Sequence, residues 1–110
     1  MSKYYIHIVV LENCPYGESA INHLKTNKIH YTITTVDNSN KENYKKDMNT
    51  FPQIYIKKKH SNESLLLGGY SDLMHAYNNL NINTQDTFMK KYINFSKKMT
   101  LRLVELFSQP

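Results

Sequence analysis

The chain has little with which to cross-link itself. One cysteine among 110 residues cannot form an intramolecular disulfide, which removes the disulfide-stapled secreted scaffolds. The five histidines stand in no His-x-x-His array and there is no Cys-x-x-Cys, so no structural zinc site is expected. No apolar run approaches the roughly 18 residues that span a bilayer, and the opening Met1-Ser2-Lys3-Tyr4 has neither the apolar core nor the small-residue cleavage site of a secretory signal. Tryptophan is absent, internal repeats and low-complexity tracts are missing, and no RNA-binding signature occurs. A soluble cytoplasmic protein is expected, with neither membrane nor nucleic acid as a partner. A free thiol survives best in such a reducing compartment.

What is present suits one small domain. Forty per cent of the residues are hydrophobic and 12% aromatic, enough for a single core. The formal charge of +5 and the pI near 9.3 favour anionic partners. The excess lies in short clusters, Lys45 with Lys46, Lys57 to Lys59, Lys90 with Lys91 and Lys97 with Lys98, which read as solvated surface rather than a basic arm.

Tyr4 to Leu11 is apolar and β-branched with no turn residue, the pattern of a central strand buried on both faces. The lone Cys14 follows it in Cys14-Pro15-Tyr16-Gly17. Beyond it, Ala20, Ile21 and Leu24 recur at helical spacing, with Glu18 in the first turn. His30 to Val36 reads as a second strand, closed by Asp37 to Asn40, and a short polar helix is expected toward Met48. Ile54 to Ile56 and Leu65 to Leu67 form a hairpin, Gly68 and Gly69 end it, and a helix resumes from Ser71 to Leu80 through Leu73, Ala76 and Tyr77. The order is βαβαββα. Further on, Phe88, Tyr92, Phe95, Met99, Leu103 and Leu106 recur at helical spacing, which predicts an amphipathic helix over 85–107 with its lysines largely off the apolar face. Packing on the same sheet is its simplest role. Dimerisation and the docking of a partner are the others.

Three segments in order, Cys14-Pro15-Tyr16-Gly17, Thr50-Phe51-Pro52 and Gly68-Gly69-Tyr70-Ser71-Asp72, resemble the glutaredoxin family over roughly residues 4 to 80. The resemblance implies a thioredoxin-like α/β fold, a four-stranded mixed sheet flanked by helices. Residues 1–82 would form the glutaredoxin-like domain and 83–110 a C-terminal helical extension packed on it. In that family a cysteine at a helix start is held as a thiolate by free backbone N–H groups and the helix dipole, and Pro15 suits the first turn because its φ is already helical. The resemblance makes Cys14 the catalytic nucleophile, with Pro15, Tyr16 and Gly17 completing the motif.

Glutathione binding is carried over to Tyr16, Thr50, Phe51, Pro52, Gly69, Tyr70, Ser71 and Asp72. The proline bond would be cis, and the Phe51 backbone would pair with the tripeptide as an added strand. The γ-glutamyl carboxylate would lie on the helix start at Tyr70 and Ser71, its ammonium on Asp72. With Gly17 where the family's second cysteine stands, the chemistry expected is monothiol reduction of protein–glutathione mixed disulfides. Glutathione is co-substrate, glutathionylated proteins are partners, and the chain is a monomer or weak homodimer. Two alternatives stay open: a homodimer holding a [2Fe-2S] cluster through Cys14 and glutathione, and a weakly catalytic interaction protein. Two family cations are replaced, a lysine by Leu11 and an arginine by Asn49. Lys45 or Lys46 is the candidate substitute. The lysines of the 57–63 hairpin fall at the opposite end of the sheet.

Overall fold

The computed structural model describes residues 3–82 and 97–107. Strand β1 (Tyr4–Leu11) leads into helix α1 (Pro15–Thr26), strand β2 (Tyr31–Val36), a single 3-10 turn (Lys41–Tyr44), strands β3 (Gln53–Lys58) and β4 (Ser64–Gly68), and helix α2 (Tyr70–Ile82); helix α3 (Lys97–Phe107) closes the described part. The sheet order is β2-β1-β3-β4. β1 runs parallel to β2 and antiparallel to β3, and β3 is antiparallel to β4. This is the thioredoxin-like glutaredoxin fold expected from the sequence, a mixed sheet with helices and a C-terminal helix.

One face of the sheet holds the core. Alternate residues of β1, Ile6, Ile8 and Val10, point the same way and pack with Ile54 and Ile56 of β3, Ala20 and Leu24 of α1, and Leu73 and Ala76 of α2. Met99, Leu103, Leu106 and Phe107 of α3 enter the same cluster. Fully burying each such aliphatic side chain contributes about 1.5–3 kcal/mol, so α3 is held by its own apolar stripe. Its polar edge is tied to the β3–β4 hairpin. Glu63 Oε1 accepts from Arg102 Nη2 at 2.7 Å and Lys98 Nζ at 2.9 Å, and the Arg102 guanidinium lies 4.9 Å from the centre of the Tyr4 ring. The part of the expected C-terminal helix that carries Phe88, Lys90, Lys91, Tyr92 and Phe95 lies outside the described residues.

The second face differs from expectation. β1 reads as buried on both sides, yet Tyr5 and His7 are half-buried. The reason lies between β2 and β3: instead of a polar helix reaching Met48, the chain makes one 3-10 turn and then bends. Gln53 holds this segment. Its Nε2 donates to the carbonyls of Tyr44 at 2.6 Å and Met48 at 3.1 Å, and Val9 and Val36 are buried at that end. No described helix covers the other end.

Candidate active site

Cys14 is separated from the end of β1 by a two-residue turn, Glu12–Asn13, and serves as the N-cap of α1, with extended backbone dihedrals. Its carbonyl accepts the first helical bond, from Glu18 N–H at 3.1 Å. No side chain caps this turn, and Pro15 takes the first helical position, where its missing N–H removes no helical bond. Cys14 is a half-buried free thiol. Tyr16 stands 64% exposed beside it.

Gly17 is buried, for a reason not visible in the motif. A Cβ at this position would lie 3.1 Å from Val10 Cγ1 and 3.2 Å from Val10 Cβ, tighter than ordinary contact. Helix α1 is thus seated on β1 through the missing side chain. This close approach fixes the height of Cys14 over the sheet.

The other two segments meet beside this helix start. The Phe51–Pro52 bond is cis. A cleft of about 260 Å3 is lined by Tyr16, Met48, Thr50, Phe51, Pro52, Gly69, Tyr70, Ser71 and Asp72. Every residue carried over to glutathione binding is on that wall. Cys14, Pro15 and Gly17 are not; Tyr16, the third residue of their motif, is the link. The rings of Tyr16 and Tyr70 approach to 5.9 Å between centroids. Gly69 backs onto the Pro52 carbonyl, 3.6 Å from where its Cβ would be.

The start of α2 is built around Asp72. The Gly69 carbonyl accepts from Leu73 N–H at 3.1 Å, which makes Gly69 the N-cap, and Asp72 Oδ2 accepts from Gly69 N–H at 2.9 Å. This is the returning half of a capping box. Gly68 has φ +135°, and a Cβ there would run into the Asp72 carboxylate. The carboxylate is therefore fixed at the rim, where it complements the helix dipole.

Lys45, a candidate for the missing cation, is paired with Glu42 at 3.0 Å. Lys46 and Asn49 are exposed, Leu11 is half-buried, and none of the four lines the cleft. Two contributors escaped sequence reasoning. Met48 forms part of the wall, and Gln53, 2% exposed, holds the Met48 carbonyl in place. The available signal was a glutamine next to Pro52 at the head of the apolar run Ile54–Ile56, since a buried amide must find partners. Among the described residues no group of three or more His, Cys, Asp or Glu could hold a metal ion, and no helix is long and apolar enough to cross a membrane.

The family model described as glutaredoxin matches residues 3–61, more than half of the chain and inclusive of Cys14 and Pro52. Gly69 to Asp72 lies beyond the match and joins the site through the cleft. No curated protein matches the chain. On the strength of the family match, with the sheet order and helix placement in agreement, the chain belongs to the glutaredoxin family.

Proposed function

We propose that this protein is a monothiol, glutathione-dependent oxidoreductase that reduces protein–glutathione mixed disulfides through Cys14. Glutaredoxins are in general thiol–disulfide oxidoreductases that use glutathione. The observation that carries the finer reading is the cleft: segments 48–52 and 69–72 converge with Tyr16 at the helix start where Cys14 sits. Residues 1–82 supply all of it, and we take them as the catalytic unit with α3 as a packed extension.

The Cys14 thiolate attacks the glutathione sulfur of the mixed disulfide. A Cys14–glutathione disulfide forms, the original S–S bond breaks, and the partner's sulfur leaves as a thiolate that takes a proton from water. A second glutathione, as thiolate, attacks the glutathione sulfur of the adduct. Oxidised glutathione departs and the Cys14 thiolate returns. The incoming glutathione thiol is the reductant, oxidised to disulfide level as the partner's sulfur returns to a thiol, so no second cysteine is required, and the tight Gly17–Val10 contact is compatible with that economy of thiols.

In this reading the edge of Thr50 and Phe51 pairs with the tripeptide backbone. The open N–H groups of Tyr70 and Ser71 take the γ-glutamyl carboxylate, and Asp72 takes the ammonium. Tyr16 and Pro52 flank the cysteinyl part.

Intact-protein mass spectrometry tests this. Reduced protein is mixed with a glutathionylated peptide and then with glutathione. The expected result is rapid gain of one glutathione, rapid loss on the second addition, and neither step in Cys14→Ser. Absence of transfer beyond the Cys14→Ser control would overturn the proposal.

A further inference from the structure

The sheet face turned away from the core carries an arrangement that the cleft does not use. Register sets its members side by side: His7 lies opposite Thr32 on one side and Tyr55 on the other, Tyr5 opposite Lys57, Tyr55 opposite Leu66, and Lys57 opposite Ser64. Directly opposed residues share a face, so two phenol rings, an imidazole, a lysine and Leu66 form one patch across all four strands. His30 joins it through an edge contact with Tyr5, ring centroids 6.2 Å apart.

The patch is held in place. The two His7 ring nitrogens bond to Thr32 Oγ1 at 2.6 Å and Thr34 Oγ1 at 3.0 Å, and Tyr55 Oη donates to Asp47 at 3.1 Å. It is also open, Thr32 and Leu66 being exposed and Tyr5, His7, Tyr55 and Lys57 half-buried. One end is basic. Lys59 N–H donates to the Lys3 carbonyl at 2.8 Å, which brings Lys3 and Lys59 to the end of the sheet where Tyr5 and Lys57 pair. That end is opposite Cys14, since β1 runs away from it. Asp47 is the acid that touches the patch.

We propose that this face binds single-stranded nucleic acid, with bases stacking on Tyr5 and its neighbouring rings and phosphates meeting Lys3, Lys57 and Lys59. Rings on the open face of a four-stranded sheet, bordered by cations, match both halves of a nucleotide: any base has a π-face, and every link carries a negative charge. An acidic protein segment would answer the lysines but leave the rings unused. The sequence alone predicts no nucleic-acid partner for want of an RNA-binding signature, but the register places Tyr5 and Tyr55 on this open face, outside the core cluster.

The test is fluorescence anisotropy of the full chain with end-labelled oligo(dT) and oligo(U), titrated over salt, with poly-glutamate as competitor. Binding to either oligonucleotide is expected, with three phosphate contacts giving a log–log salt slope of about −2. Tyr5→Ala should weaken binding by about fivefold or more while Tyr5→Phe retains it, since stacking needs the ring alone. Should Tyr5→Ala fail to fold, Lys57→Ala provides the second reading, a slope shallower by about 0.7. No binding of either oligonucleotide at low salt would overturn the proposal. So would displacement by poly-glutamate at equal charge together with Tyr5→Ala binding as tightly as the parent.

Discussion

Gly17→Ala is the sharpest probe of how Cys14 is positioned. The new methyl would sit 3.1 Å from Val10 Cγ1 and 3.2 Å from Val10 Cβ, against 3.8 Å from Cys14 Cβ, so the strain falls on the strand side. Val10 is 7% exposed and belongs to the core, with little room to withdraw. Overpacking of this kind costs about 1–3 kcal/mol. The exchange also gains about 0.5–1 kcal/mol from removing a glycine from a helix. The difference leaves a destabilisation of about 1 kcal/mol, a fall in melting temperature of about 4 °C for a chain of this length. Stability alone does not identify the cause, so the assay is a double-mutant cycle with Val10→Ala, read by thermal and urea unfolding. Removing Cγ1 and Cγ2 makes space for the new methyl, and the two substitutions together should cost about 1 kcal/mol less than their sum. A Gly17→Ala protein more stable than its parent, with additive behaviour in the cycle, would refute the claim that glycine is there to let α1 sit close on β1.

Gly68→Ala should be worse than Gly17→Ala, because the φ of +135° and the collision with Asp72 act together. A loss of about 2–4 kcal/mol is expected from backbone strain and a broken helix cap, and urea unfolding would measure it. Burial lowers the pKa of His7, with the Lys57 charge adding to it, and burial lowers that of His23. The unfolded chain then binds protons near pH 6.5 that the folded chain refuses, so stability is full above that pH and declines as pH falls below it. His23→Phe, which keeps a ring against Tyr77, should shrink the fall in melting temperature between about pH 7.5 and 5.5. Glu63 acts in the same direction at lower pH. Hydrogen bonds from Arg102 and Lys98 hold its pKa at about 2, so its contribution is present above the ordinary carboxylate value of 4.5 and is lost as pH falls toward 2. Glu63→Gln should flatten acid unfolding in that window, read by circular dichroism.

Much of this was legible because local signals and the tertiary answer agree. Apolar, β-branched Tyr4–Leu11 is the strand that its composition indicates, Pro15 and Asn27 bracket α1, and the two glycines end β4. The three motifs also arrive at one place: eight residues named from them line a single cleft. What the sequence could not display was which neighbour each residue meets. Gly17 reads as a replaced cysteine, while its contact with Val10 is a matter of how close α1 comes to the sheet. Asp72 reads as a ligand or as a helix-start acid, while the structure supplies its partner, the Gly69 N–H. Lys45 reads as a spare cation, while Glu42 three residues earlier already pairs with it. The polar helix expected toward Met48 fails for a physical reason as well: segment 41–48 has no apolar stripe to bury, and a short helix without one is not stable on propensity alone.

The absence of that helix bears on both the cleft and the open sheet face. A full helix between β2 and β3 would bury a stripe on the second sheet face and would begin to cover His7 and Tyr55. A 3-10 turn followed by an irregular path does less. It buries Val9 and Val36 at the end near Cys14, and it delivers the Met48 carbonyl to Gln53 and the Met48 side chain to the wall of the cleft. Gln53 is therefore a positioning residue for the wall, since its two bonds are what the irregular segment has in place of helical ones. Gln53→Leu would leave two carbonyls without this donor in a buried setting, at a cost of about 1–3 kcal/mol for each that water does not reach. The measurable consequence lies in the kinetics. With Met48 no longer anchored through its carbonyl, glutathione transfer should slow through a raised KM for the glutathionylated substrate, while the reactivity of Cys14 toward a small alkylating agent stays at the parent value because α1 rests on Val10 and not on this segment. Equal loss in both assays would show that the 37–49 segment supports the whole domain rather than the cleft wall alone.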